Sequence, residues 1–261
     1  MRIDDSPSMR KYEPMRMLRK GLLVGLLALL LLVAVGLLVW VSTRHAASIE
    51  AQEALKKADI DNGDWYAFGA DGRSSPSVGV ILYPGAHVSA DAYALLAQQL
   101  AQQLGALVVV ARVPLDLAFL DQDAASDVIE AHPEVKRWIV GGHSLGGVVA
   151  ASFAKANPSV DGLLLWASYP STNTDLSDQD LEVTSIHGSE DRLIDGASIA
   201  EARIRLPASA VYAEIEGANH YYFGDYGAQS DDGEPTISRE EARAEIIKES
   251  SNLIERARST N

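Results

Sequence analysis

One uninterrupted apolar run dominates the N-terminal part of the chain. Residues 21–41 read GLLVGLLALLLLVAVGLLVWV and include no charged residue. At a rise of 1.5 Å per residue, a helix of this length crosses the roughly 30 Å hydrocarbon core of a membrane. A buried soluble helix is a poor alternative, because the run is apolar on every face and has no polar stripe to turn toward water. The pattern therefore predicts a transmembrane anchor.

A cleaved secretory signal is the competing interpretation of this run. The apolar region of a signal peptide usually has only about 7 to 15 residues, and no clear cleavage site follows before Arg44. A retained signal anchor is therefore favoured. Basic residues are concentrated in a tail over residues 1–20, and only Arg44 follows the run closely. The positive-inside tendency then predicts a cytoplasmic N-terminus and an exported body.

After the anchor, short apolar strands alternate with helical segments. Residues 42–63 are predicted to form a linker with a short polar helix or stalk, and residues 64–261 a compact domain. The predicted strands are 78–83, 106–113, 138–140, 162–167, 183–187 and 210–215. The predicted helices are 90–104, 145–157 and a last one that follows the capping box Ser238-Arg239-Glu240-Glu241. This alternation favours an α/β fold in which helices flank a mostly parallel sheet.

The composition excludes several classes of function. The chain has 261 residues and a formal net charge of -14, and its acids are concentrated after residue 44. Because such an acidic surface repels phosphate backbones, no nucleic-acid partner is expected. The chain has no cysteine, which excludes disulfides, a thiolate nucleophile and Cys-ligated zinc.

The strongest chemical signal is a serine between two glycines. Gly142-x-Ser144-x-Gly146 directly follows a predicted strand and directly precedes a predicted helix. A nucleophile elbow needs this setting, because the serine lies on a sharp, strained turn and the glycines let the strand and the helix pass closely. The alternative is a glycine-rich turn whose serine only caps the helix. Ser144 is the predicted nucleophile.

A serine hydroxyl needs a base to take its proton, and that base needs an orienting partner. His220 follows the last predicted strand and precedes the last helix. Asp191 follows the strand 183–187, which gives the chain order serine, acid, histidine. A surface histidine and a solvated loop acid are the alternative interpretations of these two residues. We expect Asp191 and His220 to complete a triad with Ser144.

Two main-chain N–H groups are expected to stabilise a developing oxyanion. Leu145, the residue after the nucleophile, supplies one of them. Ala86 supplies the other from the loop after the strand 78–83, where a plain strand-to-helix turn is the alternative. Only about fifteen residues lie between the strands at 162–167 and 183–187, so no sizeable cap is expected. Side chains expected to wall the open site are those of His87, Trp166, Tyr169, Tyr221 and Tyr222.

These residues resemble the alpha/beta-hydrolase superfamily, and particularly its compact single-domain bacterial "fold-five" group. The likeness spans about residues 64–258 and rests on seven blocks in order. They are Tyr83-Pro84-Gly85 with Asp91-Ala92-Tyr93, Val113 to Ala118, Gly141 to Gly147, Ala167 to Pro170, His187 to Asp191, Gly217 to His220 with Phe223 to Gly227, and Ile237 to Glu241. The resemblance implies the same triad and the same oxyanion donors. The chain departs from it at Tyr221-Tyr222, where relatives usually carry smaller or amide residues, and this leaves the pocket size open.

The combined expectation is a carboxylesterase-like serine hydrolase on the outer face of a cytoplasmic membrane. It would act on a small acyl-containing substrate through an acyl-serine, without a metal or an organic cofactor. The acidic stretch 225–234 is expected to be a solvated loop, because its spacing lacks the alternating ligands of a calcium site. Two alternatives stay open. One is an envelope peptidase or amidase with the same triad, and the other is a membrane-tethered binding protein without turnover.

Overall fold

The computed structural model describes residues 13–69 and 76–259, so most of the predicted basic tail, residues 1–20, lies outside the described residues. The chain divides into two units, Met1–Arg44 and His45–Asn261. The first unit contains the helix α1 (Glu13–Thr43). Its segment Lys20–Thr43 contains a stretch of 18 residues with a mean hydropathy of 3.2 and no buried side chain. The predicted anchor, residues 21–41, therefore lies in a helix that is long and apolar enough to span a membrane.

An eight-stranded sheet organises the second unit. The strands are β1 (Ile60–Asp61), β2 (Trp65–Phe68), β3 (Val78–Tyr83), β4 (Leu107–Ala111), β5 (Arg137–His143), β6 (Gly162–Trp166), β7 (Glu182–Gly188) and β8 (Val211–Ile215). Their order across the sheet is β1-β2-β4-β3-β5-β6-β7-β8. β2 is antiparallel to both of its neighbours, and every other pair is parallel. The loops that follow the parallel strands therefore meet at one edge of the sheet, which we call the carboxyl edge.

Helices cover both faces of this sheet. They are α2 (Ile49–Leu55), α3 (Ala94–Leu104), α4 (Ala124–Ala131), α5 (Leu145–Ala156), α6 (Gly196–Ala202) and α7 (Arg239–Ser259). Successive side chains of β3 alternate between two apolar clusters: Val80 and Leu82 pack with α3 and α7, while Ile81 and Tyr83 pack with α4 and α5. Because both faces are covered, all six residues of β3 are buried. The predicted fold class is confirmed.

The elements agree with the sequence prediction wherever the apolar pattern is strong. Each of the six predicted strands is present, and the last predicted helix is α7. The strands β1 and β2 were not predicted, because two or four residues are too few to show an alternating pattern. The predicted helix 90–104 begins as a 3-10 turn, Ala90–Tyr93, before α3.

The second unit extends further toward the N-terminus than the boundary predicted at Asp64. Much of the segment predicted as a linker, residues 42–63, belongs to the folded unit: the Ser48 hydroxyl caps α2, and β1 pairs with β2. Ala51 and Ala54 form a buried face on this short helix. Two alanines in a polar segment make a weak sequence signal, which explains the misplaced boundary.

A buried charge on α2 should therefore unfold the second unit more easily. Ala51 is fully buried, so Ala51→Asp places an unpaired carboxylate in the core and is expected to lower the free energy of unfolding by about 3 kcal/mol or more. The matched control, Gln52→Asp, changes an exposed neighbour and should stay within about 0.5 kcal/mol of the original chain. Urea unfolding of the detergent-solubilised chain measures both. Equal values would contradict the packing of α2.

Candidate active site

Backbone strain is concentrated at the carboxyl edge of the sheet. Among the described residues, all non-glycine residues with positive φ lie in loops that follow β3, β4, β5 or β6; they are His87, Leu115, Asp116, Ser144 and Ala167. Each such conformation costs about 1 to 3 kcal/mol and persists only where the surrounding structure enforces it. The carboxyl edge is therefore the candidate location of a functional site.

Ser144 occupies the sharp turn between β5 and α5, with φ 52° and ψ -123°. A Cβ atom at Gly142 would lie only 2.5 Å from the carbonyl carbon of Gly146, so a larger residue cannot fit there. The Ser144 N–H donates to the carbonyl of Trp166 (2.9 Å), and the Ser168 hydroxyl donates to the carbonyl of Ser144 (2.7 Å). The Ser144 side chain makes no capping hydrogen bond, so these bonds hold the turn through the main chain of Ser144 and leave its hydroxyl unused.

Asp191 and His220 form a buried hydrogen-bonded pair. Nδ1 of His220 lies 2.8 Å from Oδ2 of Asp191, and the two side chains are 2% and 0% exposed. The other carboxylate oxygen accepts the N–H groups of Leu193 (2.9 Å) and Ile194 (2.8 Å). These bonds fix the orientation of the carboxylate, and the carboxylate in turn orients the imidazole. A histidine that a buried carboxylate orients in this way has the geometry of a general base.

The imidazole of His220 lies beside the turn that carries Ser144. Its ring centroid is 4.5 Å from that of His143, the residue that precedes the serine. The ring of Phe223 is stacked on that of His143, with a centroid distance of 6.1 Å. The structure thus brings the three predicted residues, Ser144, Asp191 and His220, to neighbouring loops of the carboxyl edge.

Tyr93 and His143 form a buried support beneath this site. The Tyr93 hydroxyl accepts the N–H of Gly85 (2.9 Å) and shares a second hydrogen bond with Nδ1 of His143 (2.9 Å). Burial, with a smaller effect of the nearby His220, holds the pKa of His143 well below its usual value. Burial also raises the pKa of Tyr93. Both groups therefore stay neutral at physiological pH and act as hydrogen-bonding supports.

This support was not predicted from the sequence. His143 lies inside the elbow motif and Tyr93 inside another matching block, but a hydrogen bond between residues fifty positions apart leaves no mark in a single sequence. The sequence therefore placed both residues in motifs but did not indicate that their side chains are in contact.

The two predicted oxyanion donors lie in the expected loops. The N–H of Leu145 is at the N-terminus of α5, where the helix dipole favours negative charge. Ala86 lies between Gly85, which is bound to Tyr93, and His87, whose N–H donates to the carbonyl of Asp116 (2.9 Å). Within the described part of the chain, neither the Ala86 N–H nor the Leu145 N–H has a hydrogen-bond acceptor. Both groups are thus available to a ligand.

The predicted wall residues differ in their placement. Trp166 is fully buried, and its Nε1 donates to the Ser250 hydroxyl on α7 (3.0 Å). Because its ring packs in the core between the sheet and α7, Trp166 does not wall a site, and that expectation is corrected. Tyr221 and Tyr222 are half-buried, and both rings face the guanidinium of Arg239.

The remaining wall candidates, His87 and Tyr169, are partly exposed in loops of the carboxyl edge. The N–H of His87 donates to the carbonyl of Asp116, and the positive φ of His87 makes the loop unusually sharp. Contact of these two side chains, and of Tyr221 and Tyr222, with a substrate stays a prediction.

Part of the acidic stretch 225–234, which was expected to be a solvated loop, packs against the rest of the unit. Asp225 is buried and pairs with Arg243 (2.5 Å), and burial raises the pKa of its carboxyl. The Asp232 carboxylate accepts the N–H of Tyr221 (3.0 Å), and the Asn219 amide donates to the Gly233 carbonyl (2.7 Å). Asp225 and Asp232 therefore fold against the loop that carries His220, and for these two acids the expectation of solvation is corrected. Asp231 and Glu234 are exposed, as a solvated loop predicts.

Comparison with known proteins identifies the family. Residues 79–244 match the model of the Alpha/beta hydrolase family. The chain therefore belongs to this family, and the resemblance predicted from the sequence is confirmed. Membership in the family supports a hydrolytic activity. None of the curated proteins compared with the chain matches it.

Solved structures agree with this assignment. The chain is similar to a dienelactone hydrolase-like promiscuous phosphotriesterase, P91, from metagenomic libraries, with 18% identity and a TM-score of 0.55 over 72% of this chain and 92% of that one. It is also similar to mouse alpha/beta hydrolase domain-containing protein 10 (13% identity, TM-score 0.53, 76% and 97% covered) and to esterase PE8 (14% identity, TM-score 0.51, 70% and 97% covered). At such identities the likeness shows the fold alone.

Removal of the Tyr93 hydroxyl should weaken the buried support. Tyr93→Phe leaves the Gly85 N–H and Nδ1 of His143 without their partner, and we expect the free energy of unfolding to fall by about 1 to 3 kcal/mol. Tyr212→Phe is the control, because that tyrosine is only half-buried on β8 and should change stability by less than about 0.5 kcal/mol. Urea unfolding followed by tryptophan fluorescence measures both variants. Equal stability of the two would argue against the network.

Proposed function

We propose that the protein is a serine hydrolase that cleaves an ester or a related acyl bond. The observation that carries this proposal is the buried hydrogen bond between Asp191 and His220, beside the strained turn of Ser144. Family membership supports hydrolysis in general. The unpaired N–H groups of Ala86 and Leu145 support acyl transfer, because they offer two donors to an oxyanion.

The proposed reaction has two halves. In the first, Ser144 Oγ attacks the carbonyl carbon while Nε2 of His220 takes its proton, and the imidazolium then gives this proton to the leaving alcohol. In the second, His220 activates a water molecule that releases the acid and restores the serine. Asp191 keeps the imidazole in the required orientation and stabilises its charged form. The N–H groups of Ala86 and Leu145 hold the oxyanion of both tetrahedral intermediates.

Active-site labelling tests the nucleophile and its base. A fluorophosphonate should label the detergent-solubilised chain at Ser144, because only an activated serine reacts quickly with this probe. We expect Ser144→Ala to abolish labelling, and His220→Ala and Asp191→Asn to slow it by at least about 100-fold. Ser209→Ala, at an exposed loop serine, is the control and should label normally. Peptide mass analysis locates the adduct.

The outcome of labelling also separates the alternatives. A folded chain that does not label at Ser144 would favour the binding protein without turnover. A labelled chain that cleaves amide panels and ignores esters would favour the peptidase or amidase with the same triad.

We propose in addition that residues 21–41 anchor the hydrolase unit outside the cytoplasm. The apolar helix and the bases before it support this orientation. Alkaline phosphatase fused after Asn261 should be active, and green fluorescent protein at the same site should not fluoresce. Exchange of Arg16, Arg19 and Lys20 for glutamate is expected to weaken this preference. Fluorescence of the original fusion would contradict the exported location.

A further inference from the structure

The acid and the base of the candidate site lie on two loops that leave the sheet. The parallel pairing of β7 with β8 ends three residues before Asp191, the acid, and five residues before His220, the base. The N–H of Glu190 still donates to the carbonyl of Ala218 (2.9 Å). The hydrogen bond between the acid and the base therefore depends on how the two loops are held together beyond the strands.

One carboxylate accepts hydrogen bonds from both loops. Oδ2 of Asp232 accepts the N–H of Tyr221 (3.0 Å), the residue after His220. Oδ1 accepts the N–H of Arg192 (3.4 Å), the residue after Asp191. A hydrogen bond to an ionised acceptor is stronger than one between neutral groups. Asp232 therefore joins the loop of the base to the loop of the acid, with one oxygen atom on each.

Gly233 contacts the same two loops on their other side. Its carbonyl accepts the side-chain amide of Asn219 (2.7 Å), which is fully buried directly before the base. A Cβ atom at Gly233 would overlap the carbonyl oxygen of Glu190, directly before the acid. The N–H of Gly233 also donates to Oδ1 of Asp232 (2.8 Å). Asp232 and Gly233, which we call the clamp, thus contact the residues on both sides of the acid and of the base.

We propose that Asp232 is a positioning residue, which fixes the acid and the base relative to each other. This inference rests on the proposed serine-hydrolase function. The imidazole of His220 has to face Ser144 with Nε2 while Nδ1 keeps its bond to Asp191. A misplacement of about 1 Å in such an arrangement can slow a reaction by about 100-fold. Asp232 acts through the main chain of the two loops and takes no part in proton transfer.

Asparagine and glutamate separate this role from the size and the charge of the side chain. An asparagine amide has nearly the same shape, but it has one acceptor oxygen and one N–H₂ group. Whichever way the amide turns, one loop loses its acceptor. Glutamate keeps both acceptor oxygens on a side chain that is longer by one methylene group. Glutamate should therefore rescue part of the function that asparagine loses.

The first measurement is the rate of fluorophosphonate labelling of the detergent-solubilised full-length chain. We expect Asp232→Asn to slow the labelling of Ser144 by about tenfold or more, and Asp232→Glu to recover part of this loss. With water-soluble p-nitrophenyl butyrate, kcat should fall to a similar extent while KM stays within about twofold. The matched control, Asp231→Asn, removes the same charge from an exposed neighbour and should leave both rates within about twofold of the original.

The second measurement asks whether Asp232 acts through the acid–base pair. Asp191→Asn already disrupts that pair, so adding Asp232→Asn to it should slow labelling by less than about threefold further. A general loosening of the structure would instead cost the same factor with and without Asp191→Asn. Urea unfolding establishes that each variant is native. If Asp232→Asn does not fold, Asp232→Glu enters the same cycle, and its smaller loss should disappear beside Asp191→Asn.

Three outcomes would overturn the positioning role alone. They are normal labelling of Asp232→Asn, a loss no greater than that of Asp231→Asn, and a loss of the same size with and without Asp191→Asn. An original chain that neither labels at Ser144 nor cleaves the ester would overturn the hydrolase proposal, and the positioning role with it.

Discussion

Parallel pairing of the strands is the constraint on which the rest of the structure depends. In a parallel pair both strands end on the same side, so β3, β4, β5, β6, β7 and β8 deliver their following loops to one edge. Residues far apart in the chain, such as Ser144 and His220, become neighbours because of this geometry. The sheet thus fixes the position of the candidate site, and the loops supply the side chains that determine its chemistry.

Burial then determines the state of the groups beneath the edge. Away from water, a polar group must find a partner in the protein, and a charged form becomes expensive. The Tyr93 hydroxyl and Nδ1 of His143 are partners in a neutral pair, whereas Asp191 receives two main-chain N–H groups and a histidine. Each polar group that is paired in this way is also fixed in space. The same low polarity that makes these bonds necessary therefore gives the candidate site its rigidity.

The sequence predicted those features that depend on short-range patterns. Ser144 was identifiable because an elbow needs glycines at fixed spacing, and β3 because a strand buried on both faces is apolar throughout. Features that depend on long-range contact were missed or misplaced. Trp166 ends a strand and was expected in the site, but its contact with Ser250 on α7 depends on how that helix crosses the sheet. The packing of α2 was not predicted for the same reason, since only tertiary contact distinguishes a buried alanine from an exposed one.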